Sequence, residues 1–478
     1  MKRTSLLKGG FWITFSTFAL RFFSLLSNLI LARLLLPSEF GIIAIAYVFW
    51  SFFTLFTQDT AGSFIVYKGT GDQRYLNTTY TISLIIGLIF GIAMVAVSPL
   101  VASSFNEPNL IWILSAFAFN LLLSSIVYVQ SGAMTRQMQY RELAVTSMVS
   151  SLTRLACTTG SALLGLSYWS FVIGDTASWV VSGIMTRYQS GIHFRLKIDP
   201  EVKSEVLSYC LGATGSSFGF YVNANLDNFT IGKMLGSTTL GYYNLAYQLT
   251  MALSTILNSV IGSLGMPVFA QITDEQEQEN ALFKVVEQIA FLTAPIYALF
   301  FLLIDKKAIA FLFGPQWIPV STVIPWLLVF AYFRVINTPL NTMLCAKGRP
   351  DVNAKVNLYI APVAVVGFII GAQQGGILGV SIAVALVLGI VWTFSWWWVG
   401  CRTQGWSMMK FLVPCFISVL ITLPAIAISF NLPIILKPLI FSVIYLGFVR
   451  LVAPKQFFIY QTLVVKSAEK IKNWRKSE

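Results

Sequence analysis

Apolar runs long enough to cross about 30 Å of hydrocarbon recur along the whole chain, separated by short polar joints. They fall near residues 10–33, 40–66, 78–104, 110–132, 143–166 and 168–188, then near 205–231, 240–268, 282–304, 317–344, 352–371 and 376–399, and last near 409–429 and 433–452. Each reads as a membrane-crossing helix, which predicts an all-α integral membrane protein with about 14 transmembrane helices. Turn signals close the spans at Leu36-Pro37-Ser38-Glu39, Asn106-Glu107-Pro108, Gly371 to Gly376 and Asn431-Leu432-Pro433. The longest connectors run from about 189 to 204 and from about 269 to 281, too short for a separate soluble domain. The first apolar stretch is full length and has no small-residue cleavage site, so it is expected to remain as an anchor.

Composition explains why lipid must be the solvent. Of the 478 residues 56% are hydrophobic and 11% charged, against about a quarter charged in soluble proteins. A net charge of +13 would raise nucleic acid as a partner of a soluble chain, but here the distribution matters more, and no nucleic-acid partner is expected. Most Lys and Arg residues, including Lys2, Arg3, Lys68, Arg136, Arg195, Arg349 and the tail from Arg450 to Lys476, fall on one side of the spans. Arg33, Lys233, Lys306, Lys307 and Lys437 fall on the other. The excess places both termini in the cytoplasm. The tail basics Lys466, Lys470, Lys472, Arg475 and Lys476 read as a solvated cytoplasmic end, with membrane lipids or a partner as the alternative.

Several chemistries lack raw material. The cysteines Cys157, Cys210, Cys345, Cys401 and Cys415 are scattered, with no CxxC pair, so neither a disulfide framework nor a zinc site follows. The single histidine, His193, sits in a charged connector and reads as a solvated loop residue. No metal, cofactor or catalytic residue is expected. Trp396, Trp397 and Trp398, near a helix end, read as interfacial anchors.

Sliding the chain by 200 residues aligns the first helix pair with the seventh and eighth. Matches fall at Leu26/Leu226, Asn28/Asn228, Leu35/Leu235, Gly41/Gly241, Ala46/Ala246, Tyr47/Tyr247, Gly62/Gly262 and Ser63/Ser263, and Arg33/Lys233 keep the charge. Six spans separate the copies, and an even number preserves orientation, so the halves are expected to be parallel repeats about an axis along the membrane normal. Residues 1–200 and 201–402 then form two six-helix lobes, 403–452 two additional helices and 453–478 a basic cytoplasmic tail.

Charges at membrane depth cost about 2.5 to 3.5 kcal/mol each, and three arginines stand there: Arg21, Arg154 and Arg334. Thr14, Thr17, Arg21, Ser24 and Asn28 recur at spacings of 3 and 4, so they share one helical face. Ser147, Ser151, Arg154, Thr158 and Ser161 repeat the device in the fifth span. Both arginines lie near mid-membrane, which predicts a shared, wet, cationic cavity. The repeat partner of the first stripe is Thr214, Ser217, Tyr221 and Asn228, with Asn223 and Asn225 beside it. Arg334, Asn337 and Asn341 share a face in the tenth span. Asp59, Asp175 and Asp227 are the acidic counterparts, each able to neutralise an arginine or to carry a proton.

The runs LARLLLPSEFGIIAIA (31–46), DNFTIGKMLGSTTLGYYNLAYQLT (227–250), FGPQWIPVSTVIPWL (313–327) and AKGRPDVNAKVN (346–357) resemble bacterial polysaccharide exporters. The likeness is greatest to the colanic-acid and teichuronic-acid branch of the O-antigen flippase family, within the multidrug/oligosaccharidyl-lipid/polysaccharide superfamily. The resemblance implies the fold of that superfamily, shared with MATE-like drug transporters, in a bacterial cytoplasmic membrane. The implied cargo is an undecaprenyl-diphosphate-linked glycan, carried by alternating access, with H+ or Na+ as coupling ion and the polysaccharide polymerase and chain-length machinery as partners. Arg21, Arg154 and Arg334 would then meet the diphosphate, and Asn28, Tyr221, Asn225 and Asn228 the sugar hydroxyls. A MATE-like drug or metabolite antiporter is a second reading, although such a site should be acidic. A membrane-bound polymerase or ligase is a third, although the outward connectors are short for donor and acceptor sites. A channel is weaker, because the charges form no repeated ring.

Overall fold

The computed structural model describes the backbone of residues 3–272, 274–349 and 351–462, without the side chains of residues 3–11, 13–14, 58–60, 213, 215–217, 219–220, 260, 263–264, 266–268, 270, 351 and 354. Regular structure among the described residues is helical throughout. The first 200 residues form α1 (Arg3–Leu34), α2 (Pro37–Thr54), α3 (Gln58–Lys68), α4 (Gln73–Phe105), α5 (Leu110–Arg136), α6 (Tyr140–Leu163) and α7 (Trp169–Gln189). There follow α8 (Pro200–Leu235), α9 (Ser237–Gln271), α10 (Glu275–Leu303), α11 (Lys306–Leu312), α12 (Val320–Ala346), α13 (Asp351–Ala383), α14 (Trp392–Arg402), α15 (Met408–Ser429) and α16 (Leu436–Val452). The long helices follow the predicted spans in order.

Local chemistry sets the boundaries. Aspartate carboxylates accept the backbone N–H two or three residues on at the starts of α4 (Asp72 from Arg74, 2.9 Å), α10 (Asp274 from Glu277, 2.8 Å) and α11 (Asp305 from Ala308, 2.8 Å). Pro37 opens α2, where Glu39 Oε2 accepts the Leu36 N–H at 2.7 Å. Asn106, at φ 55°, ends α4 in the left-handed region.

In α4 the polarity is inverted relative to a soluble helix. Ser83, Gly87, Gly91, Met94 and Ser98 are buried at steps of 3 and 4, while Leu88, Ile92, Val95 and Leu100 are exposed. Small residues inside let helices approach closely, and large apolar ones face lipid. Eight described stretches are long and apolar enough to span a membrane, and α6, α7, α8 and α9 are not among them. In α6, α7 and α9 internal polar residues lower the average hydropathy.

Several expectations are corrected. The span at 40–66 is two helices, α2 and α3, broken at residues 55–57. Here hydroxyls take successive carbonyls: Ser51 donates to Val48 at 2.9 Å, Thr54 to Ser51 at 2.9 Å and Thr57 to Thr54 at 3.3 Å. The connector expected at 269–281 shrinks to residues 272–274, because the Asp274 cap starts α10 early. Helix α13 contains the turn between two spans, at Gly376 with φ 55° and ψ −136°, a conformation closed to residues with a Cβ. The twelfth span includes a π-helical stretch, Val384–Val391. Trp396 and Trp397 are fully buried rather than interfacial, and their indoles donate to the carbonyl and side-chain oxygens of Asn337 at 3.4 and 3.0 Å. Only Trp398, 53% exposed, fits an anchor. His193 lies in the 190–199 connector, and its carbonyl accepts from Gln73 of α4 at 2.7 Å. The tail basics from Lys466 to Lys476 lie outside the described residues.

At the end of the bundle away from the termini, the two copies of the 200-residue repeat face each other. A Cβ on Gly41 would lie 1.7 Å from the Ser237 carbonyl oxygen, and one on Gly241 would lie 1.8 Å from that of Pro37. Residues 37 and 41 thus meet 241 and 237 reciprocally, the pattern a twofold axis produces. Arg33 donates to the carbonyls of Phe311 and Leu312 at the end of α11, and its repeat partner Lys233 donates to Ser104 at the end of α4. Each cation caps a helix C-terminus in the opposite half.

Proline also fixes how the last helices dock. Pro295 cannot donate to Phe291, and Tyr445 of α16 and Tyr460 donate to that freed carbonyl at 2.8 and 2.6 Å. Tyr445→Phe is therefore expected to loosen α16 from α10 at a cost of about 1 kcal/mol, Tyr460 keeping the carbonyl satisfied. A Tyr445→Phe/Tyr460→Phe double variant should cost more than the two singles together, measured as detergent-solubilised thermal stability.

Candidate functional site

Helices α1, α9 and α12 enclose a cavity of about 290 Å³ near mid-bundle. Arg21 and Ser24 enter from α1, and Arg334 from α12. Helix α9 contributes Tyr247, Met251, Thr255 and Asn258, whose spacing of 4, 4 and 3 puts them on one face, with Gln248 beside them. Arg334 donates to the Tyr247 hydroxyl at 3.2 Å and lies 5.7 Å from the Phe330 ring centroid. Arg21 has no hydrogen-bond or ion-pair partner among the described residues, and no described carboxylate lines the cavity. Two guanidiniums, from different helices, thus line one cavity without a described carboxylate in its lining. Such a cavity suits a bidentate, doubly charged anion such as a diphosphate.

Asn258 and Arg334 also line a second cavity of about 290 Å³, inside residues 201–402. Amides cover it. The Trp392 indole donates to Asn357 Oδ1 at 3.1 Å, Asn357 to Asn353 at 2.7 Å and Asn353 to Asn341 at 2.8 Å. Asn223 of α8 also donates to Asn357 Oδ1 at 3.1 Å, and Thr338 to Asn258 at 2.7 Å. Asn337, 3% exposed, stands behind them, donating to Thr393 at 2.8 Å.

Arg154 lies elsewhere. Its guanidinium is paired with Asp175 of α7 and donates to Tyr47 of α2 at 2.9 Å, while the Tyr47 hydroxyl donates to Asp175 at 2.6 Å. The triad is closed within the first seven helices, and Arg154 lines neither cavity. The repeat partners Tyr47 and Tyr247 therefore each accept from an arginine, one in a pair and one in a cavity. Asp227, 2% exposed, forms no salt bridge with a described residue and feels Arg334 only through space: it accepts from Tyr243 at 2.6 Å and from the backbone and side chain of Asn228 at 2.7 and 3.2 Å. The side chain of Asp59 lies outside the described residues.

The amides expected to meet sugar are placed at helix contacts. Asn28 donates to Gln248 across α1 and α9. Tyr221 donates to the Val48 carbonyl at 3.0 Å, and Asn225 accepts from Ser51 at 3.3 Å, both joining α8 to α2. Asn228 holds Asp227. None of the four lines either cavity. Among the residues that do, Arg21, Arg334, Asn223, Asn337 and Asn341 were named from the sequence, and Asn258, Asn353, Asn357 and Trp392 were not. The i, i+4 pair Asn353/Asn357 inside an apolar span was a signal of the same kind that marked Arg334, Asn337 and Asn341.

The chain is similar to known proteins over most of its length. The chain is 22% identical to the lipopolysaccharide biosynthesis protein WzxC of Escherichia coli (strain K12), over 91% of this chain and 89% of the relative. It is 19% identical to the teichuronic acid biosynthesis protein TuaB of Bacillus subtilis (strain 168), over 82% of each. Among solved structures, the lipid II flippase MurJ in its inward closed conformation superposes with a TM-score of 0.76 at 12% identity, covering 95% of this chain and 99% of that one. This likeness shows that the fold is that of MurJ. The profile of the family described as polysaccharide biosynthesis protein matches residues 30–322, more than half the chain. The chain belongs to that polysaccharide biosynthesis protein family.

Proposed function

We propose that the chain moves an undecaprenyl-diphosphate-linked oligosaccharide from the inner to the outer leaflet of the bacterial cytoplasmic membrane by alternating access, driven by an ion gradient. The observation that carries this reading is the pair of guanidiniums, Arg21 and Arg334, in a cavity between α1 and α9/α12 that no described carboxylate lines. The family and the flippase fold support it. A drug antiporter for organic cations would need an acidic wall, and this wall is basic. The reciprocal Gly41/Gly241 seam holds the end away from the termini together, so with the termini cytoplasmic, cargo enters from the cytoplasmic side and leaves when the seam parts.

Asp227 is the carboxylate suited to coupling, since a buried carboxylate that accepts hydrogen bonds only from neutral donors, with Arg334 acting on it through space, can take and lose a proton without breaking a hydrogen-bonded ion pair. Asp227→Asn keeps the shape and leaves folding intact. It should remove the dependence of transport on the proton gradient and slow net export about tenfold or more. Undiminished, gradient-dependent export by this variant would remove Asp227 from the mechanism. The function itself is tested in a deletion strain, where lipid-linked repeat units should accumulate and surface polymer should disappear. Normal polymer with new dye sensitivity would favour the antiporter. Polymerisation of lipid-linked repeats by the purified protein in detergent would show an enzyme instead.

A further inference from the structure

The amide-lined cavity has no task in binding a diphosphate. It holds one cation, Arg334, at its edge, and otherwise neutral groups that both donate and accept. Each asparagine amide has two donors and an oxygen with two lone pairs. The internal chain from Trp392 through Asn357 and Asn353 to Asn341 engages only some of these. Asn223 Oδ1 is buried with no hydrogen-bond partner among the described residues. Surplus donors and acceptors in a small apolar-backed space cost free energy unless a ligand satisfies them. A metal ion would want carboxylates, and an organic cation or a second phosphate would want charge. Sugar hydroxyls, which donate and accept at fixed angles around a ring, match alternating amides.

The wall also has an aromatic element. Trp392, half-buried, lies 5.9 Å from Trp396 at an interplanar angle of 14°, so the stack fixes its ring. It follows directly on the π-helical stretch Val384–Val391, whose wider turn shifts the register of the side chains beyond it. A fixed indole offers the flat apolar surface on which the C–H face of a pyranose packs, while its N–H is already engaged by Asn357. Arg334 and Asn258 belong to both cavities. The two spaces are therefore adjacent, in the order a lipid diphosphate and its first sugars require.

We propose that this cavity is the glycan subsite, in which Asn223, Asn258, Asn341, Asn353 and Asn357 hydrogen-bond the lipid-proximal sugar and Trp392 packs on its ring. The assignment rests on the flippase reading and locates the sugar selectivity of that site within residues 201–402, away from Asn28, Tyr221, Asn225 and Asn228.

The test uses the full-length purified protein in nanodiscs and four probes: undecaprenyl diphosphate without sugar, and undecaprenyl diphosphate bearing N-acetylglucosamine, glucose or galactose. Affinity is read by native mass spectrometry. The wild type should hold at least one sugar-bearing probe about tenfold more tightly than the bare lipid. Asn353→Ala and Asn341→Ser should each remove about tenfold from that probe alone, roughly one hydrogen bond plus its stranded partner. Trp392→Phe, which keeps a flat ring, should lose less than Trp392→Ala. Unchanged affinity of every variant for bare undecaprenyl diphosphate reports an intact fold. Equal loss for bare and sugar-bearing lipids, or no preference for any sugar in the wild type, overturns the subsite while leaving the flippase reading standing. Failure of the wild type to bind any of the four overturns both.

Discussion

Arg21→Ala combined with Arg334→Ala should abolish delivery of polymer to the surface while leaving the protein folded and in the membrane. A charge-assisted hydrogen bond contributes about 1.5 to 3 kcal/mol, so two guanidiniums lost from one diphosphate correspond to a fall in affinity of about 100-fold or more. Folding should suffer little, because Arg21 has no partner among the described residues and Arg334 makes one side-chain hydrogen bond, to the Tyr247 hydroxyl, lies near the Phe330 ring and acts on Asp227 only through space. Lysine at either position should restore charge but not the planar fork, recovering only part of the loss. Binding of undecaprenyl diphosphate, together with a melting curve, checks both halves of the expectation. Full export by the double variant would end the diphosphate assignment.

Arg154→Ala should behave in the opposite way. Its guanidinium is bound to Asp175 and Tyr47, and deleting it leaves a carboxylate only 13% exposed with no cation. The expected cost is about 3 kcal/mol, at the low end for breaking a buried ion pair because the arginine side chain itself is 35% exposed. The variant should therefore show lower yield and a lower melting temperature, with transport failing in proportion. Replacing both charges together, as Arg154→Leu with Asp175→Leu, should recover much of the stability, since a well-packed apolar pair avoids the desolvation penalty. A variant that melts like wild type yet binds no lipid diphosphate would instead make Arg154 a cargo residue. The comparison separates two arginines that look alike in sequence.

That likeness shows where sequence reading stops. Arg21 and Arg154 stand on the same kind of hydroxyl-rich helical face in the sequence, and the helical period alone treats them alike. What a stripe meets depends on the neighbouring helix. The stripe of α6 meets Asp175 of α7 and Tyr47 of α2, whereas that of α1 opens on α9 and α12. The same holds for the amides: Asn225 and Asn353 are equally polar residues in apolar spans, but one bridges α8 to α2 and the other lines a cavity. Trp397 was misread because a tryptophan at a helix end is amphipathic either way, and only packing shows that its N–H reaches Asn337.

By itself the sequence determined what depends on the solvent and on neighbours along the chain: the spans, their breaks at proline and glycine, the cations at membrane depth and the 200-residue repeat. These are properties of single helices or of composition, and lipid enforces them without reference to other helices. Only the tertiary structure decided which arginine sits in an ion pair, which carboxylate is bonded by neutral donors alone, and where amides converge. Those outcomes are set by contacts between helices, such as Arg154 with Tyr47, 107 positions away, and Asn223 with Asn357, 134 away, which no helical period encodes.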